Sequence, residues 1–124
     1  MQFTPELFIP SGTLDASFYT NALGAKEQMR FNNDDDSIHV IEFIVEDTLF
    51  FVHEDNGPER MNPTEAGAVT CNIGLMTDDV DGLFERAINA GATEMHPPTD
   101  YDYGYRQASF KDPFGHTWMV QKKI

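Results

Sequence analysis

Glu42 and His53 are the two residues whose types and placement could act together. They fall in two apolar runs, 38–45 and 48–54, separated by Glu46-Asp47. Side chains alternate faces along a strand, and a two-residue turn at Glu46-Asp47 sets a hairpin register with Glu42 opposite Phe51 and Val40 opposite His53. These four share one face with Ile44 and Leu49, while Ile41, Phe43, Phe50 and Val52 form an apolar opposite face suited to a core. A carboxylate and an imidazole on the first face could supply a general base or anchor a cation. His39, His96 and His116 lie on other strand regions, without metalloprotease or zinc-finger spacing. His39 and His116 take the core-facing parity and read as structural or capping residues. Cys71 alternates with Ile73 and Leu75 and reads as a buried core thiol. Ser17, Ser37 and Ser109 sit in no nucleophile-elbow context. Asp34-Asp35-Asp36 lacks the glycine and distal glutamate of a calcium loop and reads as a solvated turn.

The elements that must position these residues come in two rounds. Leu14-Asp15-Ala16-Ser17-Phe18 opens a helical pattern closed by Gly24-Ala25, and Val80-Asp81-Gly82-Leu83-Phe84 opens another closed by Gly91-Ala92. The offset is 66 between Asp15 and Asp81 and 67 between Gly24 and Gly91, about half the chain, which implies two similar modules. The pattern predicts helices near 13–23 and 79–90, the second capped by Asp78 or Asp79. Strands are expected at 3–9, 27–32, 38–45 and 48–54, then at 69–76, 94–96, 105–111 and 116–121. Residues 33–36 read as a hairpin loop and 97–104 as a loop rich in Asp and Tyr. Module one is residues 1–55, a Gly- and Pro-containing linker is 56–67, and module two is 68–124, all within one domain. On the fifth strand Cys71, Ile73 and Leu75 share the packed face, leaving Asn72, Gly74 and Met76 to line a cavity.

Twenty-one Asp and Glu against eight Lys and Arg give a net charge of −13. That balance argues against nucleic acid and anionic membrane surfaces and leaves room for cationic ligands. A single cysteine permits no internal disulfide and fits a reducing cytoplasm. The first ten residues carry no basic n-region and no long apolar run, so no signal peptide is expected there. The apolar stretch 40–45 is too short to cross a bilayer.

The run Asp112-Pro113-Phe114-Gly115-His116-Thr117-Trp118, preceded by Tyr103-Gly104-Tyr105-Arg106, is a tight turn entering a last strand. With Phe18-Tyr19 and Leu23-Gly24-Ala25 in the first helix, and Asp79-Val80-Asp81 and Ala90-Gly91-Ala92 at the second, it resembles the PhnB-like branch of the glyoxalase/bleomycin-resistance (vicinal oxygen chelate) superfamily. The resemblance covers nearly the whole chain. It implies an α+β fold of two βαβββ modules, each with a helix on the outer face of a four-stranded half-barrel, forming an open cup, and often a homodimer. Metal-using members bind a divalent ion through side chains on the first and last strands of both modules. Carried over, those positions fall at Thr4, near Phe51 to His53, at Asn72 and at Met119. Hydroxyl, amide and thioether groups are poor ligands for such an ion, which argues against glyoxalase I and ring-cleaving dioxygenase chemistry. The expectation is therefore no metal and no cofactor. The resemblance then implies a small-molecule binder, comparable to the bleomycin-resistance branch, that takes a cationic or aromatic ligand. The alternative is a lyase, isomerase or other enzyme of the superfamily using Glu42 or His53. The expected binding site combines Thr4, Glu6 and Phe8 of the first strand with Glu42, Phe51 and His53 of the hairpin. Module two adds Asn72 from the fifth strand and Thr117 and Met119 from the last. Tyr105 and Gln107 share parity on the seventh strand.

Overall fold

In the computed structural model, which describes residues 1–124, the order β-α-β-β-β occurs twice. Module one is β1 (Glu6–Ile9), α1 (Phe18–Leu23), β2 (Lys26–Asn32), β3 (Ile38–Val45) and β4 (Thr48–Glu54). A short α2 (Pro63–Ala66) follows in the linker, then β5 (Asn72–Met76), α3 (Val80–Asn89), β6 (Thr93–Tyr101), β7 (Tyr105–Lys111) and β8 (Thr117–Lys123). Each module makes one four-stranded mixed sheet, ordered β1-β4-β3-β2 and β5-β8-β7-β6, with its first strand parallel to its last. This is the α+β architecture expected from the repeat.

The hairpin register is the one read from the turn. Glu42 pairs with Phe51 and Val40 with His53, with Val45 opposite Thr48. Glu46 takes a left-handed φ of 55°, as a two-residue turn between twisted strands requires. Alternation then buries Ile41, Phe43, Phe50 and Val52. In α3, Asp79 caps the helix by accepting the Gly82 N–H at 2.9 Å, and Val80, Leu83, Phe84 and Ala87 form the buried stripe.

Several boundaries differ from expectation, each for a local reason. The first helix starts at Phe18, not near 13, because the Asp15 carboxylate accepts the Ser17 N–H at 2.8 Å and holds that segment in a turn. Strand β6 continues to Tyr101 through Pro97 and Pro98, where a loop was expected. It is an edge strand with register shifts, and an edge strand tolerates residues without an N–H. Strand β5 begins at Asn72, so Cys71 lies before it and is exposed, not a core thiol. The linker contains one unexpected turn of helix, capped by buried Asn62 with Pro63 at its first position.

Both sheets bury their apolar faces in one continuous core. Tyr19 of α1 sits at its centre, its ring 5.5 Å from both Phe43 and Phe50 of the first sheet and 6.1 Å from Trp118 of the second. The Tyr19 hydroxyl donates to buried Asp112 at 2.7 Å, and Trp118 Nε1 donates to the same carboxylate at 3.0 Å. Burial, reinforced by the Asp112 charge, pushes the Tyr19 phenol well above its ordinary pKa. The other Asp112 oxygen accepts the Phe114 and His116 N–H groups, closing the turn into β8. His116 is structural, as read: its Nε2 donates to the Phe8 carbonyl at 2.7 Å, tying β1 to module two. No helix is long and apolar enough to cross a membrane.

Candidate functional site

With one face of each sheet committed to the shared core, chemistry is left to the opposite faces. On the first sheet Leu7 and Ile9 are buried while Glu6 and Phe8 alternate outward. Pairing on both sides of β4 lines up Glu6, Phe51 and Glu42 in one row, and Phe8, His53 and Val40 in the next. Phe51 is thus flanked by two carboxylates, and neither Glu6 nor Glu42 takes part in an ion pair within the chain. Phe8 meets His53 edge-on at 6.1 Å, and the Arg60 guanidinium lies 5.4 Å from the Phe8 ring centroid, within cation–π range. A cleft of about 410 Å³ lined by Glu6, Phe8, Met61, Pro63 and Ile73 adjoins this face.

His53 is oriented by its own chain. Its Nδ1 lies 2.6 Å from the Glu54 carbonyl oxygen, which can only accept, and 3.5 Å from Arg60 Nη1, which can only donate; the shorter contact favours the proton on Nδ1 and leaves Nε2 without a partner. The neighbouring Glu54 side chain turns into the core, accepting from Asn33 Nδ2 at 2.9 Å and Ser11 Oγ at 3.2 Å and meeting His39 Nδ1 at 2.7 Å. Those bonds, the Asn33 amide first and then His39, hold its carboxyl below the ordinary glutamate pKa. His39 is structural, as expected.

The outward face of the second sheet is chemically different. Asn72 pairs with Thr117 and accepts from its hydroxyl at 2.5 Å. Gln107 donates to Gln121 at 2.7 Å, and its own amide oxygen accepts from the Tyr103 hydroxyl. His96 Nδ1 meets Ser109 Oγ at 2.9 Å beside Met119. Tyr101, Tyr103 and Tyr105 form a run of contacting rings at the strand ends. Tyr105 and Gln107 share this face, since Ala108 and Phe110 take the core parity.

Of the predicted residues, Glu6, Phe8, Glu42, Phe51 and His53 come together on one sheet, and Asn72, Thr117, Met119, Gln107 and Tyr105 on the other. Thr4 joins neither: it is exposed and precedes β1. The paired rows are offset by 66 residues, from 6 to 72 and from 51 to 117, so the module-one counterpart of Asn72 is Glu6. Arg60, Ser109, Tyr101 and Tyr103 were not anticipated. Arg60 belongs to an aperiodic linker, where nothing in the sequence points it at Phe8.

A family model described as the glyoxalase/bleomycin resistance protein/dioxygenase superfamily matches residues 9–120. The chain belongs to that superfamily. It is 30% identical over 125 residues to an uncharacterised protein of Mycobacterium bovis, covering 98% of this chain and 82% of the relative. The fold is similar to the crystal structure of TioX from Micromonospora sp. ML1, with a TM-score of 0.72, 22% identity and coverage of 98% and 99% of the two chains. It is also similar to a genomically encoded fosfomycin resistance protein, FosX, from Listeria monocytogenes, with a TM-score of 0.70, 17% identity and coverage of 100% and 93%. The superfamily's divalent-metal site does not fit the donors present here. The equivalent positions offer a carboxylate at Glu6 and, 66 residues before Met119, an imidazole at His53, but only an amide at Asn72 and a thioether at Met119, and no three His, Cys, Asp or Glu side chains converge.

Proposed function

We propose that this superfamily member binds a small ligand with a cationic group and an aromatic or apolar body, on the outward face of the first sheet. The observation that carries the reading is the row Glu6–Phe51–Glu42, an aromatic surface between two carboxylates free of internal ion pairs. A cation over Phe51 would gain both the ring quadrupole and a charge-assisted hydrogen bond. Phe8 extends the aromatic surface, and Arg60 already occupies a cation–π position on it. Asn72, Gln107, Thr117, Met119 and Tyr105 would contribute neutral polar contacts from the second sheet, brought over the first by a second copy of the chain. A homodimer accords with the exposed apolar side chains of Met29, Phe31 and Met76 on strands β2 and β5. Small-molecule resistance is also the theme shared by the superfamily's name and the FosX description.

Calorimetry with an acridinium dye tests the reading. Glu42→Gln keeps the shape and removes the charge, and binding weakens by about 1.5–3 kcal/mol, the scale of a hydrogen bond to a charged group. Unchanged affinity removes Glu42 from the site. Light scattering at micromolar concentration checks the dimer; a monomer there rules out a shared site. A second reading rests on the free Nε2 of His53. As a general base beside Glu42 it would suit a lyase or isomerase, and turnover abolished by His53→Gln would favour that reading over simple binding.

A further inference from the structure

A cavity of about 720 Å³ lies away from the outward faces. It lies between the modules on the core side, where the β3–β4 hairpin (Val45, Glu46, Thr48) faces α3 and the end of β8. Asp79, Leu83 and Arg86 recur at helical spacing, so one side of α3 forms a wall. The floor is apolar: Leu23, Phe50, Leu83 and Trp118 are all buried in the core and reach the cavity through their outer edges. The volume is that of a small-molecule site.

The charge around it is unusual for this chain. Of only eight Lys and Arg residues, Arg30 and Arg106 are paired with the chain's own carboxylates. Three of the remainder, Arg86, Lys122 and Lys123, line this one cavity without an ion-pair partner. Lys122 Nζ donates to the Asp78 carbonyl oxygen at 3.2 Å, which holds its ammonium at the rim. Glu46, Asp78 and Asp79 share the rim, but none lies within ion-pair distance of these cations, and the Asp79 carboxylate is engaged in capping α3. An apolar floor under a guanidinium and two ammonium groups complements an acid with a hydrocarbon body, because Arg presents a planar fork to a carboxylate and the floor removes apolar surface from water.

We propose that this inter-module cavity is a second ligand site, for a medium-chain carboxylic acid whose tail lies along Phe50 and Trp118 and whose carboxylate meets Arg86, Lys122 and Lys123. Trp118 is the single tryptophan of the chain and lines the cavity, so its emission reports occupancy directly. The probe is decanoate brominated at its tail, a heavy-atom quencher that acts only in contact. Saturable quenching at one site per chain is expected, with affinity falling about tenfold in Arg86→Gln combined with Lys123→Gln, since one charged hydrogen bond corresponds to at least that factor. Both positions are exposed, and the two single variants carry the same comparison should the double variant unfold. Glu42→Gln leaves the quenching unchanged, which separates this site from the cation site. Absence of quenching overturns the proposal, as does equal affinity for the brominated alcohol or for the charge-removed variants.

Discussion

Across the first sheet run Glu6, Phe51 and Glu42; across the second, at equivalent positions, run Asn72, Thr117 and Lys111. Strand order and pairing are the same, yet one face is aromatic and acidic while the other is a network of amides and hydroxyls closed by tyrosines. The inward faces diverged little, Glu54 against Val120 being the exception, because both must fill one core around Tyr19. Outward positions carry no such constraint. They are where two copies of one module can acquire different ligands.

Asp112 joins the modules, and its loss should break the comparison altogether. Asp112→Ala orphans the buried Tyr19 hydroxyl and Trp118 indole N–H, at about 1–3 kcal/mol each. Chemical denaturation should show a loss of roughly 3–4 kcal/mol, with the two sheets melting together; Asp112→Asn, which keeps an acceptor, should lose less. A loss below about 1 kcal/mol would mean the carboxylate is not the joint.

Glu54 sharpens the comparison, because its equivalent in the second sheet, 66 residues on, is the plain core residue Val120. Glu54→Ala removes the partner of His39 and one of the two acceptors of Asn33 and of Ser11, which keep Ser37 Oγ and Asp55 Oδ1, for about 1–2 kcal/mol. The carboxyl is held below the 4.5 of an ordinary glutamate, so its contribution is complete above that pH and is lost as pH falls through the lowered value. Denaturation midpoints measured from pH 7 downward should therefore fall less steeply in Glu54→Gln than in the parent chain. Equal acid slopes would place the sensitivity elsewhere.

The smallest effect separates the outward faces themselves. Gln107→Ala removes the amide bonded to Gln121 and Tyr103, and should cost about 0.5–1.5 kcal/mol of stability. In the monomeric protein it should leave binding of the acridinium dye unchanged, while Glu42→Gln weakens it. Equal effects of the two substitutions on dye affinity at concentrations below dimerisation would show that the two faces act as one.

Local order was legible in the residues. Period-two alternation and the Glu46-Asp47 turn were sufficient to place Glu42 opposite Phe51 and to separate Phe43 and Phe50 from His53, because strand geometry and a tight turn leave one register. The repeat of Asp15 and Asp81 exposed the two modules, and the Asp112–Trp118 turn carried the family. Other features depended on which neighbour a segment met. Prolines in β6 are tolerated because the strand is at an edge, Cys71 is exposed because β5 starts one residue later, and Thr4 drops out because β1 pairs with β4 only from Glu6. Arg60 over Phe8 and the cavity rimmed by Arg86 and Lys123 join residues with no periodic relation in the chain. Pairing within a module is set by short-range geometry that residue types report; the meeting of modules is set by which buried surfaces fit together around Tyr19 and Asp112, and only the folded chain decides that.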